Sequence, residues 1–218
     1  MKPTLSSLLL VLFLLGNGKT PGADKPGAKP ANESLRKELL RLMEEDQAAR
    51  NKFIEWLSRQ GKGDMKKDLA GDQPVARSIR EIDRKNIARM KEIVDKYGWP
   101  GKSLVGADGA NAAWLLVQHA DQDRTFQKKC LELVKAAFKQ GEATGQQLAY
   151  LTDRVLVGEG KKQIYGSQFQ QKDGKLLPSP IEDEANVDKR RKEVGLNPLA
   201  EYAKQLAETY KSKDAGKK

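Results

Sequence analysis

The sequence has few of the residues that most often carry chemistry. Among 218 residues there is one cysteine, Cys130, and one histidine, His119. A lone cysteine excludes an internal disulfide, and one histidine with one cysteine cannot supply the four ligands of a zinc site. We therefore expect no disulfide and no bound metal, and we expect Cys130 to be a small core residue.

Motifs for phosphate binding and for serine catalysis are missing too. Gly101-Lys102-Ser103 ends like a phosphate-binding loop, but Lys96 stands where the first glycine of that motif belongs. No G-x-S-x-G segment marks a serine nucleophile. The sequence therefore predicts no cofactor. The remaining candidates for catalytic or binding roles are polar residues on apolar helix faces.

The apolar stretch near the N-terminus, residues 5–15, is too short to span a bilayer. Lys2 precedes it and Gly16-Asn17-Gly18 follows it, which is the pattern of a secretory signal peptide. We predict a signal peptide at 1–18 and no transmembrane segment after its cleavage. The protein is then exported to the periplasm or the extracellular space.

Much of the net charge of +10 lies in the two ends of the chain. Residues 19–31, rich in proline, glycine and lysine, predict a disordered linker, and residues 211–218 predict a disordered basic tail. The rest interleaves basic with acidic residues, so nucleic acid is not an expected partner. A weak, salt-dependent contact of the basic ends with the cell envelope is one hypothesis.

Apolar residues recur at helical spacing along most of the chain. The pattern predicts a mainly α protein, with a single helical domain over residues 32–210 that contains about six or seven helices. The first five helices are expected at about 32–59, 77–97, 108–120, 123–139 and 144–157, and two more end the chain. The third is apolar on every side and should be the buried central helix.

After the fifth helix the spacing changes. Residues 163–169 and 175–181 flank Asp173-Gly174, a pair typical of a tight hairpin turn. The sequence therefore predicts one short β-hairpin near residues 163–181.

Several charged residues interrupt the apolar helix faces. Asp46 and Arg50 lie four residues apart on the stripe of the first helix, and Asp83 borders the stripe of the second. His119 and Asp121 close the third helix. Because burying a charge is costly unless it is paired, we expect such groups to contact one another or to surround a pocket.

A polar pocket around His119 is the leading hypothesis, for hydrolysis or group transfer on a small polar ligand. The imidazole would be the general base or acid. An aspartate would orient the imidazole, an arginine would bind an anionic group of the ligand, and a tyrosine hydroxyl would donate a hydrogen bond to the charge that develops in the reaction. The residues considered for these roles are Asp121, Asp153, Arg154 and Tyr165. The candidate ligand-binding residues are Gln118, Gln163, Gln168 and Trp99.

Each of these residues also has an architectural interpretation. Asp121 can be the N-cap of the next helix, Asp46 and Arg50 can form a structural ion pair, and His119 can be a core residue bonded to a carbonyl. The protein would then be a non-catalytic binding or scaffolding module of the cell envelope. The sequence leaves open whether the chain is an enzyme.

Four short segments follow one another along the chain: Gly98-Trp99-Pro100, Gln118-His119-Ala120-Asp121, Leu151-Thr152-Asp153-Arg154 and Gln163-Ile164-Tyr165-Gly166-Ser167-Gln168. With Gly195-Leu196, Pro198-Leu199 and Tyr202, they resemble a family of uncharacterised bacterial domains over residues 33–208. Members usually have threonine at the position of Ser167, which keeps the hydroxyl. The resemblance implies a single domain and a bacterial source, and it assigns no role to any residue.

Overall fold

The computed structural model describes residues 29–60, 71–172 and 175–215. Over these residues the protein is mainly helical with one two-stranded antiparallel hairpin, which confirms the predicted fold class. Residues 29–143 and 144–215 form two compact units, called here the N-terminal and the C-terminal unit. The predicted signal peptide lies outside the described residues, as does most of the predicted linker.

Four helices are described in the N-terminal unit: α1 (Glu33–Gln60), α2 (Pro74–Tyr97), α3 (Lys102–Gln118) and α4 (Arg124–Lys139). Asn32 caps α1, because its Oδ1 accepts a hydrogen bond from the Leu35 N–H at 3.0 Å. α2 begins earlier than the sequence predicted, since Pro74 fits the first position of a helix, where no N–H is needed. α1 packs against both α2 and α3, and the core of the unit lies among them.

α3 is the central helix of this unit. Residues 109–118 are buried apart from the half-buried Asn111, as the apolar run predicted. Gly106 interrupts the helix with a φ of 74°, a left-handed conformation that residues with a side chain rarely adopt. The regular helix therefore starts after this kink, close to the predicted start at Asp108, and His119 is its C-cap.

α4 begins after a carboxylate cap. Asp123 accepts a hydrogen bond from the Phe126 N–H at 2.9 Å and is the N-cap of the helix. The N-cap role considered for Asp121 is therefore wrong, because the chain turns once more before α4 starts. Cys130 on α4 is buried as expected, and its burial raises the pKa of the thiol to about 12.

The C-terminal unit contains α5 (Gly145–Gly158), β1 (Phe169–Lys172), β2 (Lys175–Pro178), α6 (Val187–Glu193) and α7 (Leu199–Ala215). α5 starts with the predicted capping box: Thr144 Oγ1 accepts from the Gln147 N–H at 3.1 Å, and Gln147 Oε1 accepts from the Thr144 N–H at 2.9 Å. The hairpin is confirmed with shorter strands than predicted. Its turn, Asp173-Gly174, lies outside the described residues.

Only a short segment of the chain separates the last two helices, α6 and α7. Gly195 follows α6 with a φ of 71°, as expected of a glycine that stops a helix. α7 starts just after Pro198, and the Leu199 N–H donates to Asp188 of α6 at 2.7 Å. Nowhere in the described part of the chain is a helix both long enough and apolar enough to cross a membrane.

Candidate functional site

His119 lies at the C-terminal end of α3 and is 8% exposed. Its Nδ1 atom is 2.9 Å from Asp46 Oδ2, and Arg50 Nε is 3.0 Å from the same ring nitrogen. Both partners belong to α1, where a spacing of four residues places them on one face of the helix. Two charged side chains of a neighbouring helix therefore hold the imidazole.

Asp46 has no exposed surface. Its carboxylate oxygens accept hydrogen bonds from Arg50 Nε and Nη2, each at 3.1 Å, and from the Gln47 amide at 3.1 Å. Burial alone would raise the pKa of Asp46, but the charges and hydrogen bonds of His119 and Arg50 outweigh burial and lower the pKa well below its ordinary value. Asp46 is therefore a carboxylate at neutral pH.

A second carboxylate holds Arg50 from another helix. Asp83 of α2 accepts a hydrogen bond from Arg50 Nη2 at 2.5 Å. Burial alone would lower the pKa of Arg50, but the charges of Asp83 and Asp46 raise it overall. Arg50 therefore stays charged and links α1, α2 and α3. We call Asp46, Arg50, Asp83 and His119 the charged cluster.

The geometry decides which nitrogen of His119 carries a proton. Two lone pairs facing each other across the 2.9 Å between Nδ1 and Asp46 Oδ2 would repel, so Nδ1 carries a hydrogen and donates it to the carboxylate. The hydrogen on Arg50 Nε faces both the same Asp46 oxygen, at 3.1 Å, and Nδ1, at 3.0 Å, and with Nδ1 protonated only the carboxylate oxygen can accept it.

Asp121 and Gln118, two other predicted site residues, flank His119 in the sequence. The Asp121 carboxylate pairs with Arg124 at 2.9 Å and accepts a hydrogen bond from Gln127 at 3.3 Å. Gln118 is buried, and its backbone carbonyl accepts from the same Gln127 side chain at 3.3 Å. Gln127 therefore ties the chain on both sides of His119 to α4.

In the C-terminal unit, Asp153 organises a loop. Its carboxylate accepts hydrogen bonds from the backbone N–H groups of Ile164, Tyr165 and Ser167, at 2.8, 3.0 and 2.9 Å. Burial raises the pKa of Asp153, and these three donors oppose the increase. The carboxylate thus holds the backbone of residues 163–168.

Gln163 closes the same loop. Its amide nitrogen donates to the carbonyl oxygens of Gln168 and Ser179, at 2.9 and 2.7 Å, and its Oε1 accepts from the Gln168 N–H at 2.8 Å. The Gln168 side chain donates to Ser167 Oγ at 3.1 Å, and its buried Oε1 has no partner within the described residues. These two predicted ligand-binding amides therefore bond largely to the loop itself.

The three remaining predicted site residues are Arg154, Tyr165 and Trp99. Arg154 is buried in α5. Tyr165 is half-buried, and burial followed by the charge of Asp153 raises the pKa of its phenol. Trp99 follows α2, and its buried indole Nε1 has no partner in the part of the chain that the structure describes. The roles of these three residues stay predictions.

The predicted site residues are divided between the two units. The N-terminal unit contains His119, Gln118, Asp121 and Trp99, and the C-terminal unit contains Asp153, Arg154, Gln163, Tyr165 and Gln168. The structure adds Asp46, Arg50 and Asp83 as the groups that gather at His119. In the sequence these residues stand out as charged side chains within apolar helix stripes. Such a pattern predicts that each charge is paired, but it does not identify the residue that pairs with it.

Two surface depressions of the described part of the N-terminal unit lie at other residues. One of about 370 Å³ is lined by Lys91, Asp95, Asp123, Thr125, Phe126 and Lys129, and one of about 170 Å³ by Ala49, Lys52, Pro74, Val75 and Ser78. None of these residues belongs to the charged cluster. Among residues 29–60, 71–172 and 175–215 there is no group of three side chains that could hold a metal ion.

A family model matches residues 33–214 of the chain. No curated protein matches the chain, and no solved structure matches it either. The matched segment includes every predicted site residue, from Trp99 to Gln168. By this match, the protein belongs to DUF6624, a family of unknown function.

Proposed function

We propose that the protein is an enzyme that uses His119 as a general acid–base group, in hydrolysis or group transfer on a polar substrate. The observation that supports this most is the 2.9 Å contact between His119 Nδ1 and the buried carboxylate of Asp46. A carboxylate on one ring nitrogen fixes the tautomer and the orientation of an imidazole and stabilises its protonated form. Such a partner prepares the ring to transfer protons through its other nitrogen.

The rest of the charged cluster supports the same proposal. Arg50 bonds to both oxygens of Asp46, which keeps the carboxylate from rotating away from the ring. Asp83 in turn holds Arg50 from α2. Side chains that are locked by their own partners keep a catalytic group in one geometry.

Turnover of esters, phosphomonoesters and amides by the purified full chain tests this proposal. His119→Gln and Asp46→Asn should each lower the rate by about 100-fold or more, which is the usual contribution of a positioned acid–base group. Cys130→Ala is the control, because Cys130 is as deeply buried in the same unit and lies outside the charged cluster. A substrate turned over equally fast by His119→Gln and the wild type would overturn the proposal.

A second candidate function is a non-catalytic binding or scaffolding module of the cell envelope. It is favoured by the way Arg50 pairs with Asp46 and Asp83, which satisfies these charges within the protein. In that case His119→Gln should lower the melting temperature, and neither protein should turn over any of the substrates. The two candidates thus differ in whether His119→Gln removes an activity or stability alone.

We also propose that the protein is exported. The support is the pattern of residues 1–18, a basic start, a short apolar stretch and small residues at its end. Fusion of residues 1–31 to a reporter enzyme that is active only outside the cytoplasm tests this. An inactive, uncleaved reporter would contradict export.

A further inference from the structure

Asn86 lies on the inward face of α2, the helix that also carries Asp83. It follows Asp83 by three residues and precedes Met90 by four, and residues at these spacings share one face of a helix. Met90 is 1% exposed and Asn86 is 4% exposed. The helix itself packs against α1 and α3. Asn86 is therefore a polar side chain inside the N-terminal unit, one helical turn from the charged cluster.

The amide nitrogen of Asn86 is buried without an acceptor. Its Nδ2 atom has no hydrogen-bond partner anywhere in the described part of the chain. Buried amides are normally bonded, because an unpaired donor away from water costs free energy. Gln127 shows the ordinary case: it has no exposed surface, and its Nε2 atom donates to the carbonyl oxygens of Val117 and Gln118, at 3.1 and 3.3 Å. The donor of Asn86 is thus open to an acceptor from outside the folded chain.

We propose that Asn86 is a substrate-binding residue of the site at His119, where its Nδ2 atom donates a hydrogen bond to a carbonyl oxygen of the substrate. This inference rests on the proposed function and narrows the polar substrate to an ester or an amide. The link to the site is Asp83, which accepts a hydrogen bond from Arg50 at 2.5 Å. Arg50 in turn bonds to Asp46, whose carboxylate holds the ring of His119.

A neutral donor favours a neutral acceptor. The amide of Asn86 carries no charge, so it would leave the charge of a buried phosphate unpaired, at a large cost in free energy. A carbonyl oxygen is neutral when it binds. When water attacks the carbonyl carbon, an electron pair of the C=O bond moves onto this oxygen, and the Asn86 donor stabilises the charge that develops there. His119 takes the proton of the water and returns it to the leaving oxygen or nitrogen, so no proton moves to or from Asn86.

Nuclear magnetic resonance of the wild-type full chain tests the proposal without a known substrate. The side-chain amide signals of Asn86 are identified by their loss in Asn86→Leu. They should shift and saturate on titration with N-methylacetamide, a small amide, or with ethyl acetate, a small ester, and the probe that shifts them identifies the class. Inorganic phosphate should leave them in place. The absence of a saturating shift with either carbonyl probe, or a shift with phosphate alone, overturns the proposal.

Urea denaturation tests whether the amide lacks a partner in the free protein. Gln127→Met removes an amide that bonds to the protein, and the midpoint should fall by about 1 M. Asn86→Leu keeps the number and branching of the heavy atoms and breaks no bond, so its midpoint should rise by about 0.5 M. A fall at least half as large as that of Gln127→Met means that a partner or a structural water was lost, and it overturns the proposal. A smaller fall or a rise supports it.

Activity separates this inference from the proposed function. For an ester or amide that the wild type turns over, Asn86→Leu should lower kcat/KM by about 10-fold, the usual effect of one lost hydrogen bond to a substrate, and Cys130→Ala should not. An unchanged kcat/KM in Asn86→Leu refutes the role of Asn86 and leaves the enzyme intact. A saturating shift of the Asn86 signals in a protein without turnover refutes the enzyme and leaves a carbonyl-binding site at Asn86.

Discussion

The two units of the protein use buried polar side chains in opposite ways. In the N-terminal unit, Arg50 and His119 both bond to the carboxylate of Asp46. In the C-terminal unit, Asp153 and Gln163 bond to the backbone of the loop at residues 163–168. A side chain that satisfies backbone groups fixes the shape of a loop, whereas side chains that bond to one another also decide where charges and protons reside.

Two of the buried arginines, Arg50 and Arg191, show the same contrast. Arg50 meets two carboxylates, which raise its pKa. Arg191 meets the backbone carbonyls of Asn197 and Tyr165, each at 2.6 Å, and lies 5.1 Å from the centre of the Tyr202 ring. Burial lowers the pKa of Arg191. Arg191 therefore holds backbone segments of the C-terminal unit in place, whereas Arg50 belongs to a network of charged side chains.

The largest effect that tests this contrast is expected at Arg50. Arg50→Met removes the guanidinium that Asp46 and Asp83 share, and removing one partner of a buried ion pair costs about 4 kcal/mol of unfolding free energy. Urea denaturation measures the loss. Arg89→Met is the matched control, since Arg89 also contacts two carboxylates but at the surface, and it should lose less than about 1 kcal/mol. Equal losses would mean that burial of the cluster does not matter.

The next effect concerns the loop of the C-terminal unit. Asp153→Asn replaces an acceptor oxygen by a donor and should cost about 2–3 kcal/mol, because buried N–H groups lose their partner. Faster hydrogen exchange at Ile164 and Ser167 should accompany the loss. Asp123→Asn is the control: asparagine caps a helix as well as aspartate does, and the lost ion pair with Lys91 lies near the surface, so stability should change by less than about 1 kcal/mol. If the two variants behave alike, the carboxylate does not hold the loop.

The smallest effect is a pH dependence carried by Asp46. Its pKa is lower in the folded protein than in the unfolded chain, so its contribution to stability is complete above the unfolded value of about 3.9 and is lost as the pH falls below it. The stability difference between the wild type and Asp46→Asn should therefore shrink in acid, by on the order of 1–2 kcal/mol. Thermal unfolding at several pH values measures it. A difference that stays constant with pH would show that Asp46 is not ionised in the folded state.

Much of the helical architecture could be predicted because it depends on neighbouring residues. The capping box of Thr144 and Gln147 and the buried run of α3 both follow from local spacing. The strands of the hairpin are shorter than their sequence pattern suggested. Asp153 and Gln163 take the N–H groups of residues 164, 165, 167 and 168, and those groups are then not available to a second strand.

The candidate site could be predicted only in part. His119 stood out as the single imidazole at the end of an apolar helix. Asp121 was the acidic residue next to it in sequence, but the carboxylate in contact with the ring is Asp46, which lies 73 residues earlier. Spacing along one helix predicts that Asp46 and Arg50 pair, and it carries no information about the helix they face.

The sequence by itself determined the helices, most of their caps and the presence of a hairpin, since each depends on residues a few positions apart. The tertiary structure alone decided that residues from α1, α2 and the end of α3 share one buried cluster. The reason is physical: the protonation state of an imidazole depends on charges a few ångströms away in space, and only helix packing places those charges there.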